Sequence, residues 1–117
     1  MRTICKRLRR GDDLLREVQN IAREERLQLA VILSAVGCVT RARVRDASGV
    51  TVREICEPCE IVSATGTVSA ARCHVHVSFA KEDLSTVGGH LMEGWHCGVE
   101  QDEETGYDEI VFERNVL

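Results

Sequence analysis

The sequence predicts an α+β fold: an antiparallel sheet of about seven strands with one main amphipathic helix packed on it. Only one stretch of the chain has convincing helical periodicity, whereas most of the remainder divides into short segments with strand character. Tight turns separate most of these segments, which favours hairpins over helical crossovers. The length of 117 residues suffices for one core, so residues 1–117 are expected to form a single domain.

The first expected elements are a short strand and the helix. Residues 3–9 alternate apolar and polar side chains, and Gly11 then breaks the strand. In residues 13–28, apolar side chains recur with helical spacing, and Asp12 or Asp13 can cap the first turn. The apolar stripe consists of Leu14, Leu15, Val18, Ile21 and Ala22. Because the opposite face is charged or amidic, this helix should lie on a flat apolar surface.

The segments after the helix predict strands. Residues 29–39 are almost continuously apolar, as expected of a strand buried on both faces. Gly66 indicates a bulge or a close backbone approach within the longest strand. The remaining expected strands are 41–46, 50–55, 59–70, 72–80 and 107–113, with shorter extended segments at 87–94 and 95–99. This sheet presents more apolar side chains than one helix can cover, so self-association is expected.

Composition restricts the environment and the partners. The net charge of −4 argues against a broad nucleic-acid-binding surface, and no run approaches the roughly 18 apolar residues of a membrane helix. The basic N-terminus lacks the apolar region of a secretory signal, so a cytoplasmic location without membrane contact is expected. The 6 cysteines are then expected to be reduced thiols.

Three histidines form the strongest candidate site. His74 and His76 are two residues apart in a predicted strand and should project from the same face. His90 lies where a hairpin could return the chain alongside them, and Gly88 and Gly89 permit a close backbone approach. Three neutral imidazoles can hold zinc or another divalent metal and leave one coordination position open. The alternative is three separate, partly buried histidines that are bonded to their neighbours.

Other candidate motifs are weaker. Cys56 and Cys59 form a C-x-x-C pair that suits a redox centre or half of a zinc site, although a turn between strands is the favoured interpretation. The serines in strand contexts lack a nucleophile elbow, and Cys73 and His74 should face opposite ways. No catalytic residue is therefore assigned.

Several blocks of sequence resemble the PPC domain (plants and prokaryotes conserved). They are RLRRGDDLLREV, LAVILSAVGCVTRARV, EIVSATGTVS, HVHVSF and GGHLMEG, in this order, and the resemblance runs from about Leu8 to Phe112. The resemblance implies an α+β fold, with an antiparallel sheet of about seven strands flanked by a helix, and a homotrimer. It also marks the histidines as a family feature, which strengthens the prediction of a metal site at His74, His76 and His90.

Plant members of this family follow AT-hook motifs in nuclear DNA-binding proteins, so the resemblance also implies a DNA-associated role. An AT-hook centres on Arg-Gly-Arg-Pro, whereas this chain has Arg10, Gly11 and Asp12, and direct nucleic-acid binding is not expected. The plant segment Gly-Arg-Phe-Glu-Ile-Leu, which is associated with partner interaction, matches here at Glu60 and Ile61. These two residues are therefore candidate partner or assembly contacts.

These observations predict a stand-alone homotrimeric binding or regulatory module with a histidine-lined metal site, whose partner is an unspecified protein or small molecule. The alternative is a metal-dependent enzyme in which the ion activates water or polarises a carbonyl. Glu82, Asp83 and Glu93 are the acids that could serve it as a base or as a further ligand. A concave, partly apolar cavity over the ion would favour the enzyme.

Overall fold

A computed structural model describes residues 2–93, 96–97 and 108–114. These residues form one helix and nine strands. The elements are β1 (Arg2–Leu8), α1 (Leu14–Glu24), β2 (Ala30–Val36), β3 (Cys38–Arg45), β4 (Val52–Ile55), β5 (Cys59–Val68), β6 (Cys73–Ala80), β7 (Thr86–Leu91), β8 (His96–Cys97) and β9 (Asp108–Arg114). The predicted α+β class is confirmed, with a strand count somewhat above the expected seven.

The nine strands correspond to the seven expected strands and to the two shorter extended segments at 87–94 and 95–99, where β7 and β8 lie. Gly37 separates β2 from β3, and the two strands together run antiparallel to β4 and β5. Residues 56–58 separate β4 from β5, so the C-x-x-C pair lies at an interruption between strands, as the favoured interpretation expects.

All strand pairs in the described part of the chain are antiparallel, in the order β1-β9-β2-β5-β6-β7-β3-β4, and β8 also pairs with β3. β5 pairs with β3 in addition, which closes a ring of pairings through β3, β5, β6 and β7. Closing the sheet on itself removes unpaired edges from these four strands. Each of these four strands therefore has hydrogen-bonded neighbours along both of its edges.

The amphipathic helix forms as predicted. Asp13 is the N-cap, and its carboxylate accepts a hydrogen bond from the backbone N–H of Arg16. The five residues of the predicted apolar stripe are all buried. The helix packs against β5 and β6, so its apolar face covers one side of the sheet. Among the described residues, no helix is long and apolar enough to cross a membrane.

Strand β6 shows how the core determines the two faces of the sheet. Val75, Val77 and Phe79 point towards the core and are 1%, 5% and 0% exposed. Side chains alternate along a strand, so His74 and His76 point away from the core. The side of the sheet that faces away from α1 is called the outer face below, and it carries the candidate site.

Candidate metal centre

Strand parity and register bring the three predicted histidines together on the outer face. His74 and His76 lie two residues apart on β6, and their Nε2 atoms are 3.0 Å apart. His90 on β7 is the cross-strand partner of His76 in the antiparallel register. The ring centroid of His90 lies 4.8 Å from that of His74 and 5.5 Å from that of His76.

One ring nitrogen of each histidine lies within 4.8 Å of those of the other two. Tetrahedral zinc with Zn–N bonds of about 2.0–2.1 Å needs neighbouring nitrogens roughly 3.3 Å apart. The observed spacing brackets this value, so small rotations of the rings would bring all three nitrogens onto one ion. Three imidazole nitrogens are also the donor set of several open zinc sites.

The close approach of β6 and β7 depends on glycine. A Cβ atom on Gly88 would lie 2.2 Å from the backbone oxygen of Val77 on β6. A Cβ atom on Gly89 would lie 2.7 Å from the backbone oxygen of Arg45 on β3. Carbon and oxygen atoms do not approach so closely without repulsion, so only glycine fits at these backbone positions. The Gly-Gly pair before His90 thus holds β7 against both of its neighbours.

The surroundings of His90 favour its neutral form. Burial lowers its pKa, and the charge of Arg45, the neighbouring imidazoles and Arg72 lower it further. Its Nδ1 atom is buried and has no hydrogen-bond partner among the described residues. A neutral imidazole with an unsatisfied nitrogen is suited to metal ligation, since a metal binds the deprotonated form.

No carboxylate joins the three histidines in the described part of the chain. Glu82 and Asp83 lie in the β6–β7 turn, beyond the last strand pair, Ala80 and Thr86. Ala80 is four residues from His76, which corresponds to about 13 Å along the strand. Asp83 accepts hydrogen bonds from Ser85 within that turn. The backbone oxygen of Glu93 accepts from Arg43. The acids that the enzyme alternative needs are therefore not gathered at the site.

The remaining sequence candidates lie apart from the histidines. Glu60 is exposed and pairs with Ala80 at the far end of β6, while Ile61 is partly buried against the core. Cys56 is exposed, and Cys59 is a buried free thiol whose pKa is raised by burial. Neither cysteine belongs to the histidine cluster.

Two arginines beside the cluster were not singled out by sequence reasoning. Arg45 on β3 is the cross-strand partner of His90. Arg72 immediately precedes β6 and lines a cleft of about 240 Å³ together with His74. The β3–β7 pairing joins segments far apart in sequence, so no local pattern could have placed Arg45. Arg72 could have been noticed because it lies two residues before His74.

A cluster of three histidines on the outer face of an antiparallel sheet packed by one helix defines an α+β domain with a candidate metal centre. The chain matches the Plants and Prokaryotes Conserved (PCC) domain over residues 1–100 and belongs to this family. This is the family that the sequence blocks resemble under the abbreviation PPC, and the predicted assignment is confirmed.

Solved structures share the fold. A protein from Salmonella cholerae-suis is 22% identical, with a TM-score of 0.84, and the match covers 95% of this chain and 75% of that one. A metal-containing protein from Archaeoglobus fulgidus is 28% identical, with a TM-score of 0.73 and coverage of 96% and 78%. A candidate DNA-binding protein from Bacteroides thetaiotaomicron is 18% identical, with a TM-score of 0.77 and coverage of 96% and 77%.

Among curated relatives, two Synechococcus proteins described as bifunctional protein GlmU are each 35% identical over 88 residues. The match covers 75% of this chain and 14% of each GlmU protein. The chain thus spans about one seventh of the length of these relatives, in which the matching segment is part of a much longer protein.

Proposed function

We propose that this protein is a homotrimeric binding or regulatory module in which His74, His76 and His90 together hold one divalent metal ion, with zinc as the first candidate. The observation that carries the proposal is the convergence of three imidazole nitrogens within 4.8 Å on the outer face. Neutral imidazole is the commonest protein ligand for such metals. The 28% identical protein from Archaeoglobus fulgidus is described as metal-containing, which supports the same role here.

The surroundings favour a binding site over a catalytic one. Three protein ligands leave one position on the ion for water or a ligand, and a metal so bound can act as a Lewis acid. The cleft that would favour an enzyme lies beside His74 and is lined by neither His76 nor His90. Its volume of about 240 Å³ is also small beside the roughly 300–1,000 Å³ of typical substrate pockets. The described residues that form the cluster are three imidazoles without a carboxylate base, and ligand binding is the function that these groups support best.

Self-association is proposed from the apolar character of the outer face. Val31, Leu33 and Val62 are 39%, 51% and 58% exposed on β2 and β5. The expectation that residues 29–39 form a strand buried on both faces is therefore wrong, because only one face of β2 packs on the core. Val31 pairs with Thr67, which in turn pairs with His74, so the apolar surface continues directly into the metal site. A trimer that buries these side chains would bring subunit contacts next to the ion. Metal binding would then stabilise the assembly, because a ligand that favours the assembled state shifts the equilibrium towards it.

Elemental analysis of protein purified without an affinity tag tests the metal site. We expect about one divalent ion per chain in the wild type and its loss in His74→Ala, because two imidazoles bind more weakly than three. Ser78→Ala is the matched control, since Ser78 lies on the same strand outside the cluster. Unchanged metal content in His74→Ala, with a native circular dichroism spectrum, would contradict the assignment.

The mass in solution tests the assembly. A homotrimer has a mass of about 39 kDa, three times the 13.0 kDa of one chain. A mass of one or two chains at micromolar concentration would contradict it. A cytoplasmic location, a protein or small-molecule partner, and partner contact through Glu60 and Ile61 stay predictions.

A further inference from the structure

Two arginines flank the histidine cluster from opposite sides. The outer face carries a continuous cross-strand row in which Arg45 on β3 pairs with His90, and His90 pairs with His76. Directly paired residues of antiparallel strands share a face, so the Arg45 side chain lies beside the His90 ring. On the other side, Arg72 and His74 line the same cleft.

Neither guanidinium group has an acidic partner among the described residues. On the same strand as Arg45, Arg41 and Arg43 both pair with Glu54. By contrast, Arg45 forms no ion pair in the described part of the chain, and its Nε atom is buried without a hydrogen-bond partner. Arg72 likewise forms no side-chain ion pair or hydrogen bond there. No carboxylate in the described part of the chain neutralises these two positive charges, which lie beside the histidine cluster.

Metal binding would increase the unbalanced charge. Three neutral imidazoles do not offset the double positive charge of the ion, and no carboxylate joins the cluster in the described residues. Arg45 pairs with His90 and Arg72 lines the cleft beside His74, so both guanidinium charges would add to the charge of the ion. A partly buried group of positive charges is stabilised when an anion completes it.

We propose that the site binds a small oxyanion, a carboxylate or phosphate group, with one oxygen on the metal and another on the guanidinium of Arg72, while Arg45 adds charge from the opposite side. The inference rests on the proposed metal site and specifies its ligand. A guanidinium group presents parallel N–H donors that match the two oxygens of such anions. The open fourth position on the metal accepts the first oxygen.

The cleft beside Arg72 limits the size of the molecule that carries the anion. Gln28, Thr67 and Ser69 are polar residues that line it, and its volume of about 240 Å³, below the roughly 300–1,000 Å³ of typical ligand pockets, favours a small molecule. Ser69 also orders the start of β6, because its backbone N–H donates to the Arg72 carbonyl and its hydroxyl accepts from the Arg72 N–H. These hydrogen bonds fix the backbone of Arg72 next to the cleft, so its side chain starts from a defined position.

Titration of the Co²⁺-loaded protein with inorganic phosphate and, separately, with succinate tests the proposal. The visible absorption of Co²⁺ depends on its ligands, so an anion that reaches the metal changes the spectrum. We expect saturable change with at least one probe, and the probe that binds distinguishes phosphate from carboxylate. Arg72→Gln should weaken that binding about 10-fold or more while the cobalt content stays unchanged.

Two further variants keep the result interpretable. Arg16→Gln makes the same change of charge on the exposed face of α1 and should bind the anion like the wild type. Arg72→Lys retains the charge without the paired donors, so its affinity should fall between those of wild type and Arg72→Gln. Bound cobalt with no response to either probe, or equal affinities in Arg72→Gln and wild type, would overturn the oxyanion proposal alone. Failure of the wild type to bind cobalt or zinc would overturn the metal site and this inference with it.

Discussion

Replacement of Gly88 by alanine should disturb the metal site without changing any ligand. The added Cβ atom would lie 2.2 Å from the Val77 backbone oxygen and 2.9 Å from the Ser78 Cα. Ordinary van der Waals contact requires the strands to separate by about 1 Å at this point. His76 and His90, two residues further along the pair, would move apart because they belong to the two strands that are forced apart.

The expected cost of Gly88→Ala is about 1–3 kcal/mol of unfolding free energy, the usual range for overpacking, measured by urea denaturation of the metal-free protein. Metal ligation tolerates deviations of only about 0.2 Å, so zinc affinity measured against a competing chelator should fall about 10-fold or more. Thr86→Ala is the matched control, since Thr86 is exposed on the same strand and carries no ligand. Wild-type stability and zinc affinity in Gly88→Ala would refute the argument that glycine sets the β6–β7 spacing.

Three other outcomes are expected. Leu33→Lys should lower the solution mass from that of a trimer towards 13.0 kDa, because it places charge on the apolar outer face. The control Val50→Lys lies at a turn where the side chain is already 82% exposed, and it should leave the mass unchanged. Dissociation in neither variant or in both would contradict the assignment of that surface. Hydrogen bonds from Ser48 and Arg53 lower the pKa of Asp46 in the folded protein. The resulting stabilisation is present above about pH 4 and is lost as the pH falls through the lower pKa of the folded state. Asp46→Asn should flatten the pH dependence of the unfolding free energy in that range, and a profile identical to that of the wild type would contradict this role of Asp46. Direct DNA binding should be absent at moderate salt, and a tight complex whose affinity falls steeply between about 50 and 200 mM salt would disprove this expectation.

The elements set by local pattern were predictable from the sequence. The apolar stripe from Leu14 to Ala22 identified α1 because helical periodicity is a property of neighbouring residues. The alternation in β6 likewise placed His74 and His76 on one face. The closed ring of pairings through β3, β5, β6 and β7 depends on contacts between distant segments, which periodicity does not encode.

For the candidate site, too, the part that local sequence signals encode was predictable. The grouping of His90 with His76 followed from a hairpin and a glycine pair, both of which are local signals. Arg45 reaches the site through the β3–β7 register, and Arg72 contributes through a cleft formed with Gln28, so both depend on tertiary contacts. The charge of Arg45 beside the histidines became evident only from the three-dimensional arrangement, whereas Arg72 lies two residues before His74 in the sequence.

The central claim is that three histidines bind one metal ion, and X-ray absorption spectroscopy of the zinc-loaded protein tests it most directly. We predict three imidazole nitrogens at about 2.0–2.1 Å and one further oxygen ligand, with no sulfur in the first coordination sphere. A sulfur atom at about 2.3 Å would instead assign the zinc to cysteine and contradict the site at His74, His76 and His90.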